Sequence, residues 1–362
     1  MNTSRRLRTV RTVLLFLAPW TMVAQQVPFH GTADQEAPRG SGKASRMIQL
    51  DVVVTAKKGS PVPGLKEQDF SLLDNKQPQA LATFQPVPGA EPAADPPVEV
   101  ILLIDAVNAR FQSVSFERQA LDKYLRANGG QLPYPESLVF FTDSGLQMQN
   151  QPSRDGNALS AMLDQTEHTL RTINRAQGFY GAGDRLELSL RNLGQLAEYE
   201  KTRPGRKLLI WIGPGWPLLS GPEVQLTSKE AEGIFNSIVN MSATLREGRI
   251  TLYSVNPLGI EEGLGRLFYY QEFLKGVTQP RQAQAGNLAI QVLATQSGGL
   301  VFDSGSDLDR QVRTCVADAD AYYTISFTPP PADQPNEYHS IAVKINQPGL
   351  TARTRTGYYA LP

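Results

Sequence analysis

An aspartate and an asparagine follow a long apolar stretch of the sequence. Asp105 closes the run at 98–104, which is rich in Val, Ile and Leu, and Asn108 comes three residues later. Such a run predicts a strand buried on both faces in the middle of a parallel sheet. An acid at the carboxyl end of that strand lies at the crevice where open α/β sheets bind ligands. There a carboxylate either coordinates a hard cation or accepts backbone N–H bonds from the next loop, and both alternatives stay open for Asp105.

Other residues that could do chemistry are sparse. Cys315 is the single cysteine, so an intramolecular disulfide and a cysteine metal cluster are excluded, and we expect it to be a small buried side chain. The histidines, His30, His168 and His339, lack the spacing of a zinc site, and His339 is expected to pack within a β segment. Since no nucleophile motif or phosphate loop stands in the required context, we predict no catalytic residues and no enzyme.

The elements that must position Asp105 alternate along residues 98–320. Predicted strands are separated by helical patterns of about 10–15 residues, which favours a mostly parallel, doubly wound sheet with helices on both faces. Asp143 is predicted to begin a hairpin turn, and the loop at 303–306, which starts with Asp303, is predicted to cap a helix that opens at Asp307.

Two β segments flank this α/β part. Residues 46–85 and 321–362 contain short stretches of period-two alternation, and a Pro- and Ala-rich linker is predicted at 86–97. Neither segment has enough strands for a two-sided core of its own. We therefore predict that both pack as one small β-sandwich in which the α/β domain is inserted.

The first residues resemble an export signal. Arginines at 5, 6, 8 and 11 precede a short apolar run at 13–20, and Ala24 is a plausible cleavage position. We expect a signal peptide at 1–24, a flexible leader at 25–45 and a periplasmic, cell-envelope or secreted protein. We expect no membrane span after signal removal.

Four sequence pieces carry a resemblance to a known family. They lie at 52–70, where Val-Val-Val-Thr is followed by Pro-Gly-Leu and Asp-Phe; at 103–108; at 204–211, with Pro-Gly-Arg-Lys-Leu-Leu-Ile-Trp; and at 322–360, which ends in Arg-Thr-Arg-Thr-Gly-Tyr-Tyr-Ala. Together they resemble the von Willebrand factor type A-related domain family of exported, acidobacterial-type bacterial proteins. The resemblance implies a Rossmann-like type A domain with flanking β strands and no established activity.

The same resemblance implies where a cation would bind. Type A domains often hold a divalent ion with an Asp-x-Ser-x-Ser motif plus a Thr and an Asp from later loops. Here Asp105 keeps the first position, but Val107 and Ala109 replace the hydroxyls. Asn108 and Asp184 are the further oxygen ligands available if a metal binds. Because Mg²⁺ needs more oxygen ligands than these, we predict a degenerate site and no metal cofactor.

These observations predict an exported, non-enzymatic binding or assembly module. Its crevice rim is expected to comprise Asp105, Asn108, Asp184 and Trp216, with Trp216 exposed after Gly215. The partner is expected to be a protein or peptide, since a formal net charge of zero gives no support for nucleic acid. Two alternatives stay open: metal-dependent adhesion or hydrolase activity at the same crevice, and a scaffold with no ligand there.

Overall fold

The computed structural model describes residues 47–56, 59–88, 98–149, 151–165, 179–217, 219, 225–257, 269–303, 305 and 307–360. The predicted signal peptide at 1–24, the leader at 25–45 and most of the linker at 86–97 lie outside these residues. Within them, no helix is long and apolar enough to cross a membrane.

The described strands fall into three groups along the chain: four before residue 98, seven between residues 98 and 302, and four after residue 320. In chain order they are β1 (Ile48–Ala56), β2 (Phe70–Asp74), β3 (Gln77–Gln79), β4 (Thr83–Pro88), β5 (Val98–Asp105), β6 (Gln131–Thr142), β7 (Gly145–Met148), β8 (Ser153–Asp155), β9 (Arg206–Ile212), β10 (Ile250–Val255), β11 (Val301–Phe302), β12 (Ala321–Phe327), β13 (Glu337–Ile345), β14 (Leu350–Arg353) and β15 (Gly357–Ala360). The helices are α1 (Phe111–Arg126), α2 (Gly156–Gln165), α3 (Phe179–Lys201), α4 (Ser228–Glu247), α5 (Ile290–Gln296) and α6 (Leu308–Val316).

The middle group forms a seven-stranded, mostly parallel sheet. Its order is β11-β10-β9-β5-β6-β7, with β8 also paired to β6, and only β7 and β8 run antiparallel to their neighbour. Every residue of β5 is buried because its side chains alternate between two hydrophobic clusters. Val100, Leu102 and Ile104 pack with residues of α1 and α6, whereas Ile101 and Leu103 pack with α3, α4 and α5. The mixed α/β class and the mostly parallel sheet are thus as predicted.

Two four-stranded antiparallel sheets flank the parallel sheet. Their orders are β14-β1-β12-β4 and β15-β13-β2-β3, so each combines strands from before and after the α/β part. One hydrophobic cluster contains side chains from both sheets, including Leu50, Leu72, Ile325 and Tyr358. Burial of this shared cluster holds the two ends of the described chain together.

One edge strand differs from its predicted bounds. β4 continues through Pro88, into the segment predicted as a linker at 86–97, and its partner is β12. Two prolines are tolerated here because β4 lies at the edge of its sheet, where one side of the strand needs no N–H donors.

Charged side chains join the parallel sheet to its neighbours at the amino ends of its strands. Arg249, directly before β10, donates to Asp51 of β1 at 2.6 Å. Arg353 of β14 donates to both carboxylate oxygens of Asp318 at 2.7 and 2.6 Å, and Tyr253 of β10 donates to the same carboxylate at 2.6 Å. Each of these acids is largely buried and paired, which fixes the antiparallel sheets against the α/β part.

Candidate functional site

The candidate site lies at the opposite edge, where the parallel strands end. Asp105 is the last residue of β5 and is completely buried. Its Oδ1 accepts the backbone N–H groups of Val107 at 3.0 Å and Asn108 at 2.9 Å. Its Oδ2 accepts the side-chain amide of Asn108 at 2.8 Å and the indole N–H of Trp211 at 2.9 Å. Four donors therefore saturate the carboxylate, and this arrangement matches the second alternative for Asp105, in which it orders the following loop.

Neighbouring backbone covers this carboxylate. Gly213 follows β9, and a Cβ at that position would lie 2.8 Å from the Cβ of Asp105. Only glycine permits such a close approach. Burial raises the pKa of Asp105, and the hydrogen bonds from Asn108, Trp211 and Val107 offset part of that rise. The carboxylate is thus a buried structural acceptor with no open face.

A divalent cation does not fit these residues. Val107 and Ala109 are buried and carry no side-chain oxygen where the type A motif has hydroxyls. Asn108 directs its amide nitrogen to Asp105 and, at 3.0 Å, to Ser189, which leaves one oxygen atom without a hydrogen bond in the described part of the chain. Nor do the described residues contain a group of three His, Cys, Asp or Glu side chains able to hold a metal. The donor set around Asp105 is therefore too small for an octahedral ion.

The expectation of an exposed Trp216 is wrong. Its side chain is 2% exposed, and its ring meets that of Trp211 edge-on, with centroids 5.1 Å apart and planes at 77°. The chain turns inward at Gly215, whose φ is +91°, so the large apolar ring joins the hydrophobic cluster instead of the rim. Trp216 therefore cannot contact a partner without local unfolding.

Asp184 is exposed, as a rim residue must be. It lies on α3, five residues before Ser189, which accepts the amide of Asn108 and thereby fixes α3 to the loop after β5. Asp143, in the turn between β6 and β7, is also exposed. The structure therefore brings Asp105, Asn108 and the helix of Asp184 together, and it removes Trp216 from the predicted rim.

Three residues at this edge were not assigned to the site from the sequence. Asp303 follows β11 directly, and Tyr269 and Tyr270 lie half-buried in a short 3₁₀ segment. The loop at 303–306 was interpreted as a cap, but Asp307 does the capping by accepting the N–H of Arg310 at 3.1 Å. The sequence signal that could have pointed to this site is a pair of adjacent tyrosines that belongs to no periodic apolar pattern.

The pKa of one buried acid outside the crevice is also raised. Burial raises the pKa of Glu136 to about 8, and the Tyr124 hydroxyl donates to it at 2.6 Å. A cavity of about 180 Å³ lies alongside, lined by Tyr124 but not by Glu136. The Glu136 carboxyl group therefore does not reach that cavity, and its hydrogen bond with Tyr124 is a contact within the hydrophobic core beneath α1.

Comparisons with known proteins give similarities of fold only. No family model matches the chain, and no curated protein matches it. Among solved structures, it is similar to the human COPII-coat protein Sec24c with 9% identity and a TM-score of 0.37, over 74% of this chain and 44% of that one. The pilus adhesin SpaC from Lactobacillus rhamnosus GG gives 10% identity and a TM-score of 0.39, over 83% and 43%. The SpRpn10 VWA domain gives 14% identity and a TM-score of 0.29, over 59% and 93%. The chain thus spans less than half the length of the coat protein and the adhesin.

Proposed function

We propose that this chain is an exported, non-enzymatic module that binds a protein or peptide at the carboxyl edge of its parallel sheet. In this proposal the α/β part is a Rossmann-like type A domain inserted in a β-sandwich, and its metal site is degenerate. The observation that carries the proposal is the saturation of Asp105 by four hydrogen bonds. It favours recognition by surface side chains over chemistry at a bound ion.

The accessible groups at this edge support the same conclusion. Asp184 and Asp143 are exposed and have no ion pair within the described residues, so their charges are available to a partner. A helix and a tight turn that carry unpaired charges suit binding, because little ordering is required when the partner arrives. The fold class alone does not decide between partners.

Site-specific photo-crosslinking tests the position of the contact. A benzoylphenylalanine replaces Asp184 at the crevice edge or, as the control, Glu67, an exposed acid before β2 in the antiparallel sheets. Irradiation of the source cells should give a discrete heavier adduct from position 184 and none from position 67. Equal adducts at both positions, or none at either, would contradict the proposal. An adduct that disappears with EDTA would favour the metal-dependent alternative.

Export is a separate part of the proposal and has its own test. It rests on the arginines at 5–11 and the apolar run at 13–20, which lie outside the described residues. Amino-terminal sequencing of the mature protein should begin near Gln25. An intact Met1 on protein recovered from the cytoplasm would overturn this part and leave the crevice proposal untouched.

A further inference from the structure

An unpaired carboxylate directly follows β11, which packs on α5, and two adjacent tyrosines lie in a 3₁₀ segment that packs on the same helix at one end of the crevice edge. Asp303 is the first residue after β11, and it is half-buried. In the part of the chain that the structure describes, its carboxylate accepts no hydrogen bond and joins no ion pair. Removing a carboxylate from water without a partner costs free energy, and a partner that supplies a positive charge recovers it.

Burial alone raises the pKa of Asp303 to about 6, so the group is mostly ionised at neutral pH. The charge of Asp303 also acts on both tyrosines. Burial is the larger cause and the charge of Asp303 the second, and together they raise the pKa of Tyr269 to about 12. The same two causes raise the pKa of Tyr270 above its usual value. The carboxylate and the two phenol rings therefore share one environment, and no other charged group contributes to the raised pKa of Asp303.

The rings are held at a fixed angle to each other. Their centroids are 6.3 Å apart and their planes lie at 89°. The Tyr269 hydroxyl donates to the side-chain oxygen of Gln291 on α5 at 3.3 Å, which ties this ring to the body of the domain. Both tyrosines keep part of their surface accessible.

We infer that Asp303, Tyr269 and Tyr270 receive a cationic side chain, lysine or arginine, from the partner that binds this edge. A carboxylate supplies a charge-assisted hydrogen bond, and the face of a tyrosine ring attracts the same cation. The exposed carboxylates of Asp143 and Asp184 lie on the same edge and offer further contacts to a basic segment. This inference rests on the proposed function and names the chemistry of its partner.

A labelled tetralysine peptide is a suitable probe. Its affinity for the full chain is measured by fluorescence anisotropy at neutral pH and about 0.15 M ionic strength, where the Debye length is about 8 Å. Asp303→Asn should weaken binding about tenfold, since one charge-assisted contact is lost. Glu67→Gln, which removes an equal charge from the antiparallel sheets, should change affinity by less than about twofold, because exposed charges far from the site are screened.

A second pair of variants separates the aromatic contact from a fold defect. Tyr270→Phe keeps the ring and should bind as the unchanged chain does, whereas Tyr270→Leu should weaken binding about threefold to tenfold, in line with the loss of a cation–π contact. Equal binding by Asp303→Asn and the unchanged chain would overturn the inference. So would equal binding by the Leu and Phe variants.

The pH dependence gives a readout that needs no variant. Affinity for tetralysine should increase between pH 5 and pH 7, because Asp303 loses its proton near pH 6 while lysine stays charged. A flat profile would contradict the cation site. If crosslinking at position 184 succeeds but these tests fail, the edge binds a partner by other means, and only the cationic pocket is wrong.

Discussion

Near the amino ends of the parallel strands, Arg249 and Arg353 each form an ion pair with a largely buried acid, whereas at the carboxyl ends Asp143, Asp184 and Asp303 form no ion pair within the described residues. Arg249 meets Asp51, and Arg353 meets Asp318, each across the boundary with an antiparallel sheet. At the other edge Asp105 is saturated by uncharged donors, and Asp303 has no partner in the described structure. The first edge uses charge to join sheets, and the second leaves it available for binding.

The difference indicates which substitutions should affect stability and which should affect recognition. Removing one member of a buried ion pair leaves the other charge unpaired and costly. Removing an exposed, unpaired charge disturbs little of the folded state. Burial and pairing, and not the residue type, therefore separate structural acids from available ones in this chain.

The largest expected effect is at the amino edge. Arg353→Met should lower the free energy of unfolding by about 3–5 kcal/mol, because Asp318 is buried and loses two hydrogen bonds. Urea denaturation measures the change. Arg191→Met, which breaks an exposed pair with Glu187, and Asp184→Asn at the carboxyl edge should each cost less than about 0.5 kcal/mol. Similar losses in all three variants would remove the distinction between the edges.

A smaller loss is expected for Asp105→Asn. The amide nitrogen of the new side chain must face either the two backbone donors or the donors from Trp211 and Asn108. One side of the network is then mismatched, and unfolding should become easier by about 2 kcal/mol. Thermal unfolding in EDTA gives the comparison. A variant as stable as the unchanged chain under these conditions would show that the carboxylate does not organise the loop.

The smallest effect is expected from added cation. A site with millimolar affinity would stabilise the fold by only about 0.4 kcal/mol at about 1 mM Mg²⁺, and we expect no more than this. Isothermal calorimetry and melting temperatures with Mg²⁺ or Mn²⁺ measure the response. Stoichiometric micromolar binding that Asp105→Asn abolishes would instead make the carboxyl edge a metal site and revive the metal-dependent alternative.

The fold was largely predictable because burial leaves a signature along the chain. The continuous apolar run of β5 indicated a strand covered on both faces, and alternation near both ends indicated antiparallel strands. The turn at Asp143 follows from local hydrogen bonding and was predicted correctly, whereas the helix cap was predicted at 303–306 and is Asp307 itself. The course of β4 through Pro88 was not predictable, because only its edge position makes the prolines acceptable.

The site was predictable only where its contacts are local. The hydrogen bonds that Asp105 accepts from the backbone of Val107 and Asn108 follow from a strand end and a tight loop. The bond from Trp211 spans 106 positions and exists because β9 lies beside β5, an order that no local pattern specifies. Trp216 was misplaced for the same reason, since its burial depends on the ring of Trp211.

The pairing of β4 with β12 has a mechanical consequence. Pro88 lies opposite Ala321, so the chain leaves for the α/β part and returns from it at adjacent points of one ladder. A pulling force applied between β1 and β15 is carried by the hydrogen bonds of the antiparallel sheets. Tension enters the parallel strands only after β4 has unzipped from β12, beginning at the end of the ladder where Thr83 pairs with Ser326. The ladder therefore shields the carboxyl edge, and any partner held there, from stretching of the outer strands.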